Sequence, residues 1–528
     1  MSTPAFSGFS PLKQTVFATL WVATIIGNIG SFARDIASSW LVTDLSSSPL
    51  DVAMVQAATT LPVFLLAIPA GVLSDILDRR KFLICIQLLM ASVSLSLLLL
   101  TAAGLQTIFA LIALTFIGGI GVALMGPTWQ AIVPELVKPR DLRDAVALNS
   151  LGINIARAIG PALGGVILAT YGSSVTYGVD VISYFFVIAA LLWWKKEKSE
   201  SDDLSERFFG ALRAGLRYTF ASADLRVVLI RTFLFFTFSS SVWALLPLVT
   251  RGLLKGDAGF YGILLGAVGA GAIVGAFLLP GLRQKLSADA LLLLSSVITA
   301  AVMALLSTAP PHWLAILALT VLGCSWIIAL TTFNGAAQSI LPNWVRGRSL
   351  AVYLTIFNGA MTAGSLLWGM LAKSVGIPQT LIIGAIGIIL TGFVGYLLRL
   401  PKGEYDLMPS NHWPEPMLSE AIEHDRGPVM IQIEYRVARQ DRDAFVNAIH
   451  TFSWERRRDG AYRWGVMEDA SDPEVMLEWF MVESWAEHLR QHRRVSKKDA
   501  DLQQEVLRFH AGEAPPVVRH FIDVKKKK

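Results

Sequence analysis

Long apolar stretches divided by short polar connections organise the first 400 residues. A bilayer core of about 30 Å takes about 20 apolar residues of helix. About twelve runs reach that length, near 16–43, 52–73, 82–105, 108–129, 145–172, 175–194, 227–249, 261–282, 290–309, 313–333, 350–372 and 381–400. The first begins near Val16, is too long for a signal-peptide core and has no cleavage site, so it reads as a retained span. No run qualifies after Leu400.

Beyond that point the periodicity changes. Segment 400–428 is rich in Pro and acidic residues and reads as a linker. Residues 429–437 have the pattern of a strand, and Phe445, Ile449 and Phe452 recur at helical spacing within 439–457. Tyr462, Trp464 and Val466 alternate as a strand does, and Pro473 breaks a turn before a third strand at 475–482. Helical spacing returns over 484–510 with Leu489, Leu502 and Val506, and a last strand falls near 517–523. The order β-α-β-β-α-β predicts a small ferredoxin-like domain.

The apolar part repeats itself. WQAIVPELVKPRDLRDAVAL after the fourth run aligns with AQSILPNWVRGRSLAVYLTI after the tenth. Gln130, Pro134, Val137 and Leu142 match Gln338, Pro342, Val345 and Leu350 at an offset of 208. Further on, Gly160, Gly165 and Gly172 match Gly364, Gly369 and Gly376 at an offset of 204. Two parallel halves of six spans fit a two-lobed transporter. The fold expected is therefore an all-α membrane protein of 12 transmembrane helices in two six-helix repeats, plus the α+β domain. The boundaries run 1–198, a linker 199–224, 225–402, a second linker 403–428, the domain 429–524 and a basic tail 525–528.

Composition agrees. Hydrophobic residues are 54% of the chain and charged residues 16%, against roughly 25% charged in soluble proteins. The net charge of +5 is too small and dispersed for a nucleic-acid partner. Cys85 and Cys324 lie in apolar runs, which excludes a disulfide framework and a cysteine metal cluster. One alternate set of connections carries Arg79, Arg80 and Lys81, Lys138, Arg140 and Arg143, Lys195, Lys196 and Lys198, Arg283 and Lys285, and Arg346 and Arg348. The other set carries only Arg251, Lys255 and Lys373, so the basic set and both termini are expected in the cytoplasm. Within 204–222, Phe208, Leu212, Leu216 and Phe220 face one way and Arg213 and Arg217 another, the pattern of an interfacial helix.

Between the second and third runs stands Gly71-Val72-Leu73-Ser74-Asp75-Ile76-Leu77-Asp78-Arg79-Arg80. It resembles the signature loop of the major facilitator superfamily in Gly71, Asp75, Arg79 and Arg80; Ile76 and Asp78 depart from it. The altered tail is similar to that of the enterobactin-exporter-like branch. Asp75 can pair with Arg79 one turn on or face a helix N-terminus, a contact able to latch one arrangement of the lobes; the alternative is a plain positive-inside anchor. The fifth run holds Gly160-Pro161-Ala162-Leu163-Gly164-Gly165, which resembles the antiporter signature of drug exporters. Its glycines allow close helix approach and its proline bends the helix. Ordinary small-residue packing is the competing account. The resemblance covers about 10–400 and implies two lobes, alternating access and proton-coupled export.

Ionisable groups inside a span usually face a cavity or a partner. The first run contains Arg34 and Asp35, the fifth Arg157 and the sixth Asp180; Arg231 lies near the end of its span. Asp35 is the first candidate for binding the coupling proton and Asp180 the second. The alternative is structural pairing, Asp35 with Arg157 or Asp180 with Arg34. Gln56, Gln130, Asn154, Asn334, Gln338 and Asn358 are either substrate contacts or interhelical hydrogen-bonding groups.

In the C-terminal segment, VESWAEHLRQHRR resembles part of small antibiotic-biosynthesis-monooxygenase-like domains, which implies dimerisation and, in some relatives, oxidation of quinones or haem. The Asn that haem-degrading relatives carry in the first strand is missing. His450, Trp454, Trp464, His488 and His492 are candidates to line a pocket there. The chain as a whole is expected to be a secondary exporter of a small amphipathic or lipophilic compound, in a bacterial inner membrane, with protons as coupling ion, no cofactor and no metal. The other readings are a membrane-tethered enzyme or a regulator acting through the C-terminal domain. No Gly-Lys-Ser/Thr phosphate loop is present, which disfavours ATP-driven pumping.

Overall fold

The computed structural model describes residues 10–138, 141–194, 216–342, 345–401, 426–495 and 497–524. Eleven helices among them are long and apolar enough to cross a membrane. They are α1 (Thr15–Leu45), α2 (Pro49–Ile76), α3 (Arg79–Ala102), α4 (Ile108–Leu136), α5 (Leu142–Trp193), α6 (Ala223–Leu248), α7 (Ala258–Lys285), α8 (Ala288–Ser307), α9 (His312–Ser339), α10 (Arg346–Val375) and α11 (Ile377–Leu397). At 1.5 Å per residue α5 would measure about 78 Å, more than twice a bilayer core. It is two helices meeting at Gly172, where φ is 80° and ψ is 176°. That backbone conformation suits glycine, and it turns the chain with no polar loop. The two apolar runs expected on either side therefore follow one another directly through Gly172.

The chain forms two compact units. The first comprises 1–202, 229–335 and 353–400; the second comprises 203–228, 336–352 and 401–528. The membrane connections 203–228 and 336–352 thus group with the C-terminal domain rather than with the helices they join.

In the first unit the sequence repeat has a geometric counterpart. Gly172 and its mate Gly376 both have positive φ, 80° and 90°. A Cβ on Gly160 would fall 2.8 Å from Phe32 of α1, and one on Gly364 would fall 2.1 Å from Ser240 of α6. Phe32 and Ser240 are themselves 208 residues apart. The repeated glycines therefore hold the same helix pair together in each lobe, α1 with α5 and α6 with α10. The first lobe's core sits near its basic end, where Phe17, Leu20, Trp129, Ile132, Leu148, Leu191 and Trp194 pack together.

In the second unit a four-stranded sheet has the order β2-β3-β1-β4, with β1 at Val429–Arg436, β2 at Arg463–Glu468, β3 at Val475–Val482 and β4 at Val517–Ile522. All neighbours are antiparallel. β1 buries Val429, Ile431, Ile433 and Tyr435 on one face, against Phe445, Ile449 and Phe452 of helix α12 (Arg442–Asp459). The expected helical stretch 484–510 forms two helices, α13 (Trp485–Arg494) and α14 (Lys497–Leu507). Of the expected interfacial helix, Phe208, Leu212 and Arg213 lie outside the described residues; 216–221 is helical. Tyr218 and Thr219 are buried there, and Phe220 of the expected apolar face is exposed: Tyr218 Oη donates to the Ile340 carbonyl at 3.3 Å, and Thr219 Oγ1 to Ser349 Oγ at 3.2 Å. The tail Lys525–Lys528 is also outside the described residues.

Candidate functional site

Arg34 is the centre of a charged cluster in the first lobe. Its Nη2 lies 3.0 Å from Asp35 Oδ1 and its Nη1 3.5 Å from Asp180 Oδ2. Nη1 also donates to Tyr184 Oη at 3.0 Å, and that hydroxyl shares a 2.9 Å hydrogen bond with Ser31. Ser94 Oγ donates to Asp180 Oδ2 at 2.6 Å. Asp180 has no exposed side-chain surface, whereas Asp35 is 40% exposed. The two aspartates are thus unequal. Asp180 is sealed in with its partners, and Asp35 is bound to Arg34 on one side and open on the other. Of the two structural pairings considered, Asp180 with Arg34 exists. Asp35 pairs with Arg34 rather than with Arg157.

Three parts of the chain supply this cluster: α1, α3 and the second half of α5, with Gly30 of α1 making room. A Cβ on Gly30 would sit 2.8 Å from Asp180 Oδ1 and 2.3 Å from Ser183 Oγ. In the second lobe the repeat positions are Val242 and Trp243 for Arg34 and Asp35, and Gly384 for Asp180. The charged centre is therefore present in one lobe only.

Five residues beyond Asp35 on α1 the lobes meet. Trp40 stacks on Tyr261 of α7, with ring centroids 5.8 Å apart. Arg251 lies over the Trp40 ring, donates to Thr43 and forms an ion pair with Asp44. Gly165 of α5 meets Gly262 of α7 so closely that a Cβ on either would be 2.4 Å from the other's Cα. Gly369 of α10 meets Ala53 of α2 equally tightly, and Thr60 bonds Thr362 across the same pair of helices at 2.7 Å. The antiporter-like glycines thus divide their work. Gly160 and Gly164 pack on α1 within the lobe, and Gly165 closes the seam between lobes.

The seam does not continue to the other end. On α7 the stripe of Gly262 and Gly266 runs on through Ala270, Ile273 and Phe277, and those three are exposed. On α5 the stripe of Gly165 and buried Pro161 runs back through Arg157, Asn154 and Ser150, also exposed. The lobes part toward the end that carries Leu142 and Lys285, leaving a cleft between them.

The signature loop lies at that end. Arg79 binds Glu135 at 2.8 Å together with the Ser74 and Ala131 carbonyls. Arg80 donates to the Leu191 and Leu192 carbonyls at 2.8 Å, capping the end of α5. Both arginines therefore tie elements of the first lobe to one another. No described residue comes within 4 Å of a Cβ built on Gly71. The Asp75 side chain, proposed partner of Arg79, lies outside the described residues. Arg231 forms an ion pair with Asp289 and is buried.

In the C-terminal domain the five pocket candidates do not converge. His450 packs on Trp464 at the β2 edge of the sheet, with ring centroids 5.1 Å apart. Trp454 is half exposed beneath Arg226 and Arg457. His488 and His492 sit with His520 of β4 at the opposite edge, Nε2 to Nε2 distances being 3.3 Å and 2.9 Å. Burial and the neighbouring His492 and His520 hold the His488 imidazole down to a pKa of about 3. A cavity of about 280 Å³ between α12 and α14 is lined by none of the five. No group of three or more His, Cys, Asp or Glu among the described residues is arranged to hold a metal. Sequence reasoning missed the domain's buried polar centre, where Arg456 and Tyr435 bind Glu478 with Trp464 donating to it. The signal was available: in a strand alternating in and out, Glu478 falls on the inward face with Met476 and Phe480.

A profile of the family described as transmembrane secretion effectors matches residues 6–528. The staphyloferrin A transporter of Staphylococcus aureus is 27% identical over 73% of this chain and 96% of its own length. The multidrug efflux pump Tap of Mycolicibacterium fortuitum is 25% identical over 74% and 95%, and macrolide efflux protein A of Streptococcus pyogenes is 20% identical over 72% and 94%. Among solved structures, the nucleoside transporter NupG superposes with a TM-score of 0.59 at 12% identity, covering 73% of this chain and all of that one. A bacterial homolog of the human lysosomal transporter Spinster gives 0.58 at 13% identity over 74% and 97%. At such identities these likenesses establish the fold.

Proposed function

Because the chain belongs to the transmembrane secretion effector family of the major facilitator superfamily, and is thus a multi-pass membrane transporter, we propose that it exports a small amphipathic compound by proton-coupled alternating access. The observation that carries the reading is the asymmetric pair of carboxylates on Arg34, one sealed and one open beside the seam between lobes. A carboxylate that shares an arginine can give up that partner, take a proton and be neutral while the lobes rock. Asp35 meets solvent from the cleft, and Asp180 holds Arg34 in place meanwhile. Siderophores and drugs are the cargo classes carried by the relatives' names.

The same reading counts twelve passes, dividing α5 at Gly172, with both termini on the cytoplasmic side of a bacterial inner membrane. The cleft then opens toward the cytoplasm. The C-terminal domain is taken as ferredoxin-like and similar to monooxygenase-like modules, able to dimerise. Its candidate residues lie at opposite sheet edges, which favours a regulatory role over catalysis. Supporting that role, Glu487 of α13 accepts from Arg217 at 3.1 Å, and Arg458 lies over the Tyr218 ring.

The test is efflux of a compound panel from proteoliposomes containing the full chain, with and without an imposed pH gradient. At least one compound should move faster with the gradient. Asp35→Asn and Asp180→Asn should each slow that flux at least about tenfold, equivalent to about 1.4 kcal/mol. A flux indifferent to the gradient removes the proton, and full flux in Asp35→Asn removes Asp35.

A further inference from the structure

Arg157 is a cation with no counter-charge among the described residues. It is exposed on α5 and makes no hydrogen bond or ion pair among the described residues. Its position identifies the surface it faces. Arg157, Pro161 and Gly165 are spaced i, i+4, i+8 and share one face of the helix. Gly165 touches the second lobe at Gly262. Arg157 is therefore about 12 Å below the closed seam on the face turned toward the other lobe. Asn154 and Ser150 continue the stripe, both exposed and polar, as the wall of a cleft requires and a lipid-facing surface does not.

The chain offers Arg157 little to pair with. Between Asp224 and Asp257, between Asp257 and Asp289, and between Asp289 and Glu404 the second lobe has no Asp or Glu at all. In the first lobe the intervals Asp51–Asp75, Asp78–Glu135 and Asp144–Asp180 are equally bare, so the deep carboxylates are Asp35 and Asp180. Both are engaged by Arg34. While the cleft is open, water solvates the guanidinium. When the lobes close over it, that water is lost, and an unpaired charge in the membrane interior is costly. A negative group entering with the cargo removes this cost and offers the planar fork of arginine its preferred partner. Across the cleft, Ala270, Ile273 and Phe277 present an apolar wall.

The geometry points to a cargo that is an amphipathic anion, with a carboxylate-class group held by Arg157 and an apolar body against the α7 stripe. This rests on the transporter reading and narrows its cargo. The test is equilibrium binding to the purified full chain in detergent. The probes are dansyl-amino acids of graded side-chain size, each offered as the free acid, the methyl ester and the primary amine. Free acids should bind, and esters and amines should bind at least about tenfold more weakly. Arg157→Gln should weaken the acids at least about tenfold and leave the esters unchanged. Arg157→Lys, which keeps the charge, should recover part of the loss, and a melting curve of each unliganded variant verifies folding. Esters binding as tightly as acids, no acid binding at all, or unchanged acid affinity in Arg157→Gln each overturn the proposal. Because binding is read without transport, failed efflux with intact acid selectivity counts against the export reading alone.

Discussion

Arg34 organises the charged centre because its guanidinium has enough donors for two carboxylates and a tyrosine at once. Removing one member of such a buried set leaves the others uncompensated, at a cost of about 3–5 kcal/mol. Gly30 is the residue least expected in this machinery, and it yields a sharp prediction. In Gly30→Ala the new methyl overlaps Ser183 and Asp180, so the variant should lose about 1–3 kcal/mol of stability. Its melting temperature in detergent should fall and its efflux drop, while insertion into membranes persists. Unchanged melting and efflux would mean the cluster has slack the packing does not show. The two aspartates and the arginines stood out in the sequence because charge is rare in apolar runs. Ser94, Tyr184 and Gly30 did not, since their roles come from neighbours 86 to 153 residues away.

At the scale of elements, small residues decide where helices touch. The pair Gly165 and Gly262 brings α5 and α7 into backbone contact at one end, and beyond Gly266 the same faces separate. A leucine at Gly165 has no room in the closed seam, so Gly165→Leu should force the lobes apart there. A cysteine placed at Tyr261, buried in the parent chain, should then become several-fold more reactive toward a membrane-impermeant maleimide. Equal labelling with and without the leucine would show that the seam tolerates bulk. The span-five motif was legible as close packing, but its sequence did not say which partner each glycine meets. Gly160 and Gly164 face their own lobe and Gly165 the other, a distinction set by about 100° of helical rotation per residue. Gly172 was read as the end of a span; only its backbone angles reveal a direct turn from one helix to the next.

At the scale of the whole molecule, the chain divides into a helical membrane unit and a unit that gathers the C-terminal domain with two membrane connections. The second unit carries a pH dependence of its own. His488 faces His492, His520 and Gln491, beside Glu487 and Arg490. With its pKa held near 3 when folded and near 6.5 when unfolded, the unfolded state binds more protons between those values. Stability present at neutral pH is therefore lost as pH falls through 6.5, about 2 kcal/mol by pH 5. Amide exchange of α13 in the full chain, corrected for intrinsic rates, should show protection falling over that interval, and His488→Gln should flatten the slope. A protection factor independent of pH in the parent chain would contradict the burial of a neutral imidazole. Hydrophobic run length, basic connections, the repeat and the strand alternation were all written in the sequence, because each depends on residues close together and on the solvent they must meet. Which charge pairs with which, which glycine faces which lobe, and which end of the bundle is shut depend on side chains brought together from distant parts of the chain. Arg157 shows the boundary best. Its presence in an apolar run is a fact of sequence, and its lack of a partner among the described residues is a fact of the fold.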